Sequence, residues 1–111
     1  MPSEYTLRPD GEIDIARVEY LQPRWFAQLD DHRPHCLVID LSDVTFLDSS
    51  GISLILQMHK RQQRAGGAVV ITNPPHFIRK LLELTGVDQV VEVRAQGVVA
   101  ADQDRDPIWD L

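Results

Sequence analysis

The chain has 111 residues, 43% of them apolar, with a formal net charge of −6 and a pI of about 5.0. That is enough for one domain with a modest core, and too apolar for a disordered chain. The acidic balance argues against a basic nucleic-acid-binding face, and no apolar run approaches the ~20 residues of a membrane span.

Met1-Pro2-Ser3-Glu4 lacks the basic and apolar regions of a secretory signal. The single Cys36 has no intrachain partner and lies in an apolar run, where cysteine packs as a small hydrophobe. A cytoplasmic protein is expected. Tyr5–Arg8 alternates weakly and reads as a short strand, followed by turn chemistry at Pro9-Asp10-Gly11. Two readings compete for the next stretch. In one, Tyr5–Arg8 is the only strand before the helix and Gly11–Asp14 leads from it into that helix. In the other, Pro9–Glu12 is a hairpin turn and Ile13–Val18 a second strand. The first is preferred, because it puts Leu21, Trp25 and Leu29 on one helical stripe. Pro23 is the obstacle, since an interior proline costs ~3 kcal/mol. The helix is therefore expected to begin near Gln22, with Pro23 in its first turn.

Asp30–Pro34 is a polar loop. Cys36–Leu41 is an apolar run of the kind a buried strand shows. Asp48-Ser49-Ser50-Gly51 then leads into a helix over about Ser50–Ala65, with Ile52, Ile55, Leu56 and His59 at helical spacing. Lys60, Arg61 and Arg64 suit its negative end, and Gly66-Gly67 ends it. Ala68–Thr72 is the next buried strand. After Asn73-Pro74-Pro75, the residues Phe77, Ile78, Leu81, Leu82 and Thr85 form one helix face, capped by Gly86. Val90–Val93 is a short last strand. Alternating strands and helices imply an α/β fold with a mostly parallel or mixed sheet of about four strands. Residues 1–94 form the expected domain. Residues 95–111 form a tail: a turn or two of helix over Val98–Asp102, a charged and mobile acidic stretch over Asp102–Asp106, and two large apolar side chains, Ile108 and Trp109, near its end.

In open α/β sheets the strands' C-terminal edge commonly carries the functional groups, and Asp48–Gly51 is placed there. Asp and Ser are preferred helix caps, and the first helical turn favours negative groups. On chemistry alone the stretch reads as a capped helix start. Other chemistry is thin. His32, His35, His59 and His76 lack ligand spacing for a metal, and no Cys pair or HExxH pattern is present. There is no Gly-x-Ser-x-Gly elbow, P-loop or Gly-x-Gly-x-x-Gly, so no catalytic residue and no cofactor is expected.

Val38–Gly51 resembles the signature of STAS domains, specifically the anti-sigma-factor antagonists. Three other stretches agree: Gly11-Glu12-Ile13-Asp14, the Gly66–Pro74 segment, and Leu81–Val87. Together they span roughly residues 5 to 94. The resemblance implies a single STAS-like domain whose first edge strand is missing or reduced to Met1–Glu4. It implies that Ser50, with Ser49 the lesser candidate, is phosphorylated by a partner that is both serine kinase and anti-sigma factor. It also implies reversal by a PP2C-type serine phosphatase, and a partner face including Asp14, Asp48, Ser49, Ser50 and Gly51. The chain would be a substrate and not an enzyme, with no nucleic-acid or direct membrane contact. A phosphate on Ser50 adds roughly −1.5 to −2 charge near Asp43 and Asp48, so a face that accepts Ser50 would reject phospho-Ser50. The rival readings are an accessory subunit of a lipid-transporting ABC system and a STAS module of a signalling scaffold. Asp-Thr-Gly-Gly-like loops mark the former, so Asp48–Gly51 favours the sigma-factor reading.

Overall fold

The computed structural model describes residues 3–94. The expected tail, 95–111, lies outside them. Four strands form a parallel sheet in the order β1-β3-β5-β6: Glu4–Leu7, Cys36–Asp40, Ala68–Thr72 and Glu92–Arg94. Two more strands, β2 (Asp10–Ile13) and β4 (Asp43–Leu47), pair in parallel as a small second sheet. The helices are α1 (Ile15–His32), α2 (Ser49–Arg64) and α3 (His76–Thr85), with a 3-10 turn at Val87–Gln89. From β1 to β3, β5 and β6 each crossover moves one strand in the same direction. Right-handed crossovers then set the helices on one face of the sheet. Leu37, Ile39, Val69 and Ile71 point into that layer and meet Leu21, Leu54, Met58, Ile78 and Leu82, all in one buried cluster.

The two sheets are one pair of strands broken at a common level. Leu7 pairs with Ile39, but beyond the break Asp10 pairs with Asp43, a slip of one residue. Pro9 lacks a backbone donor at the break. Asp40 braces it, accepting from Ser42 N at 2.9 Å and from Arg8 Nε at 3.1 Å. Burial works against charge on Asp40, but the Ser42 hydrogen bonds and the Arg8 guanidinium outweigh it and hold its pKa below the ordinary value. A second slip follows between Gly11 and Glu12, where Gly11 takes a φ of +68° open to glycine. These offsets aim the ends of β2 and β4 at a common point.

Five sequence expectations differ from the structure. Helix α1 begins at Ile15 and not near Gln22, so Pro23 sits inside it. Pro23 and Glu19, whose carbonyl loses its donor, are both exposed, so water replaces the missing bond. Asp43–Leu47 is a strand of its own, between the Cys36 strand and the Asp48 loop. The last strand begins at Glu92, and Val90 is 55% exposed after the 3-10 turn. The turn expected at Pro9-Asp10-Gly11 is confined to Arg8-Pro9, because Asp10 and Gly11 already pair with β4 as the start of β2. The loop expected at Asp30–Pro34 is shorter too, since α1 runs on through His32. The expected helical stripe is present: Val18, Leu21, Trp25 and Leu29 are the buried residues of α1.

Candidate functional site

Strands β2 and β4 end side by side, with Ile13 opposite Leu47. The next residue in each chain is an aspartate, and each aspartate caps a helix. Asp14 Oδ1 accepts Arg17 N at 2.9 Å and opens α1. Asp48 Oδ1 accepts Ser50 N at 2.9 Å and Gly51 N at 3.3 Å and opens α2. Asp48 N donates to Ile13 O at 3.5 Å, tying the two starts together. Two positive helix ends therefore converge with two carboxylates between them.

Ser50 is half-buried, and its hydroxyl donates to Asp48 Oδ1 at 2.5 Å. This hydroxyl bond is the largest influence on Asp48; desolvation opposes it, the Gly51 and Ser50 backbone donors add to it, and the pKa stays below the ordinary carboxylate value. Ser49 is exposed, and its hydroxyl has no hydrogen-bond partner among the described residues. Gly51 differs from its neighbours. It is buried, and a Cβ there would lie 2.2 Å from Leu47 Cδ1 and 3.2 Å from Ile13 Cγ2. A valine at 51 is expected from sequence to sit tolerably in the helix start, but the space is filled. Gly51 lets the loop close onto β2 and β4. Asp43 is exposed at the far end of β4, five residues before Asp48.

The structure thus brings Asp14, Asp48, Ser49 and Ser50 to one end of the domain, with Gly51 beneath. It also exposes two large apolar side chains there that the sequence did not single out. Phe46, two residues before Asp48, is 45% exposed, and Ile15, next after Asp14, is 62% exposed. Phe46 faces outward from β4, opposite Glu12 of β2, and Ile15 is the first residue of α1. Of the histidines, His32 stacks on Tyr5 with ring centroids 4.0 Å apart. Among the described residues no helix is long and apolar enough to cross a membrane.

A sheet of parallel strands with helices on one face, with a serine held at the start of its second helix, is the architecture of a small single-domain α/β protein. The chain belongs to the STAS domain family, whose profile matches residues 2–98. It is similar to an anti-sigma F factor antagonist from Lysinibacillus sphaericus, at 26% identity over 81 residues, covering 73% of this chain and 69% of that protein. It also resembles the crystal structure of an anti-sigma factor antagonist from Mycobacterium paratuberculosis. There the identity is 29% and the TM-score 0.71, covering 86% of this chain and 80% of the other. The unphosphorylated form of the anti-sigma factor antagonist SpoIIAA shares the fold at 20% identity and TM-score 0.72, covering 84% and 81% of the two chains. The phosphorylated form of the Bacillus protein matches at 0.65, again at 20% identity, covering 84% of each chain.

Proposed function

We propose that this chain is an anti-sigma-factor antagonist controlled by phosphorylation of Ser50. Unmodified, it captures an anti-sigma factor that is also a serine kinase. That kinase transfers a phosphoryl group to Ser50 and is released, and a PP2C-type phosphatase restores the hydroxyl. The single observation that carries the reading is the hydroxyl of Ser50, held by Asp48 at the start of α2 on an end of the domain that also exposes Phe46 and Ile15. Exposed apolar groups beside a functional loop are the usual mark of a protein-binding surface.

The chemistry is a contrast of charge. Ser50 is neutral and half-buried, so a partner can pack against Phe46, Ile15 and the loop. A phosphate on Ser50 gains the positive end of α2, but stands beside Asp48 and Asp14. The repelling charge falls on the partner's contact surface while the fold beneath is unchanged. Relatives named as anti-sigma factor antagonists, and a fold relative solved in both phosphorylation states, support the same reading.

The test is incubation with a serine-kinase anti-sigma factor encoded near this chain, with ATP, followed by peptide mapping. One phosphate on Ser50 is the expected result. Phosphate found only on Ser42 or Ser53, or no phosphate despite tight binding, would remove the switch from Ser50.

A further inference from the structure

The described domain carries a second surface built of apolar and basic groups. Ser53, Leu56, Gln57, His59 and Lys60 of α2, with Val90 beside them, line a cleft of about 240 Å³. Helix α2 has no acidic residue, and its His59 and Lys60 line the cleft, with Arg64 one turn beyond; Arg61 turns to the α1 side, where it pairs with Asp30. In α3, Arg79 and Glu83 border a separate hollow with Val93 of β6. Phe77, Leu81 and Leu84 form a stripe on another side of α3, where Phe77 is 50% and Leu84 85% exposed. Lys60 and Lys80 are the only lysines of the chain, one on each of these helices. A basic, apolar surface in a protein of net charge −6 selects an acidic, apolar occupant.

We propose that this cleft takes residues 102–111 of the chain itself, with Trp109 as the anchor. Asp102, Asp104, Asp106 and Asp110 face a single Arg105 in that segment, and Ile108, Trp109 and Leu111 supply the apolar part. The charge is complementary to α2 and the apolar groups to Leu56 and Val90. A cavity of ~150 Å³ holds a benzene ring, so the cleft has room for an indole. Reach does not limit the contact: the 15 residues from Arg94 to Trp109 span up to ~50 Å extended, whereas the 18 residues of α1 are only ~27 Å long. Aromatic anchors seated in a groove and flanked by polar contacts are the common form of such docking.

Ser53 follows Ser50 by three residues and so lies on the neighbouring turn of the same helix face. If Ser50 is the partner site, a docked tail stands beside it and competes with the partner. That consequence rests on the function proposed above; the docking itself does not.

The experiment uses the full chain and no partner. Amide chemical shifts of wild type, Trp109→Ala and Lys60→Glu are compared, and the Trp109 fluorescence is isolated as the difference between wild type and Trp109→Phe. Trp109→Ala is expected to move the signals of Ser53, Leu56, Lys60 and Val90, Lys60→Glu to move those of Ile108 and Trp109, and both to leave those of Trp25 and Leu37 in place. Lys60→Glu is expected to shift the Trp109 emission to the red and to raise its quenching by iodide by at least twofold. Raised salt is expected to act in the same direction. A Trp109 already fully quenchable in wild type, or Trp109→Ala shifts confined to the tail, overturns the proposal. Shifts that grow with protein concentration overturn it too, by assigning the cleft to a second copy, as does a cleft that fills only when another protein is added. Wild-type-like signals at Trp25 and Leu37 show that the variants are folded, so a negative result reads on docking alone.

Discussion

Substituting Gly51 separates two roles that the sequence leaves merged, since a glycine in a partner loop and a glycine under it look alike. A Cβ at 51 would sit 2.2 Å from Leu47 Cδ1. Favourable carbon contacts lie at ~3.5–4.0 Å, so the Leu47 side chain has to move by more than ~1 Å. It has nowhere to go: Leu47 is 6% and Ile13 2% exposed, both inside the core cluster. Overpacking of this kind costs ~1–3 kcal/mol. Replacing a helical glycine by alanine returns up to ~1 kcal/mol, and less in the first turn. Gly51→Ala is therefore expected to destabilise the domain by ~0.5–2 kcal/mol. Gly51→Val adds two more methyl groups to the same space and is expected at or above the upper end, ~3 kcal/mol. Thermal denaturation followed by circular dichroism gives the answer, because ~1 kcal/mol moves the midpoint of a domain this size by ~4–8 °C. Loss of melting temperature in the order wild type, Ala, Val supports a buried glycine. A Gly51→Val protein that melts like wild type but fails to capture its partner would refute it and return Gly51 to the partner surface.

Two further outcomes follow from the geometry. Asp48 has its pKa lowered in the folded state, so its contribution to stability is present above the unfolded value near ~3.9 and is lost as pH falls through the folded value. Asp48→Asn is expected to flatten the stability–pH curve in that acidic window, measured by urea denaturation, and an unchanged slope would detach Asp48 from the cap. Gln62, 3% exposed, donates from Nε2 to Pro34 O at 3.0 Å and to Ala68 O at 3.1 Å. Gln62→Leu leaves those carbonyls short of a donor at ~1–3 kcal/mol and is expected to lower the urea midpoint with an unchanged slope.

The central layer was legible from the chain because its signals are strong and local. Cys36–Asp40 and Ala68–Thr72 are uninterrupted apolar runs, and α2 and α3 carry helical spacing closed by glycines. Strand β4 was not, because only Val44 and Leu47 of its five residues are buried, and Ser42-Asp43 reads as a turn. The start of α1 was displaced by Pro23, whose cost depends on whether the freed carbonyl meets water, which is a property of the fold. At the site, the chain shows Asp48–Gly51 as a cap with two hydroxyls. Asp48 holding Ser50 is a contact two residues apart, within reach of the cap pattern. That Asp14 caps a neighbouring helix at the same level, with Phe46 and Ile15 beside them, depends on the register of β2 against β4. Register is fixed by long-range packing and by the bulge at Gly11, neither visible in a short window.

In the proposed switch, one phosphate at Ser50 controls one interface. The direct measurement is titration calorimetry of the kinase anti-sigma factor with unmodified chain, with chain phosphorylated at Ser50, and with Ser50→Ala. Tight binding of the unmodified and Ser50→Ala forms, and at least tenfold weaker binding of the phosphorylated form, is the predicted result; that factor corresponds to ~1.4 kcal/mol. Equal affinity for all three, with phosphate verified on Ser50, would contradict it.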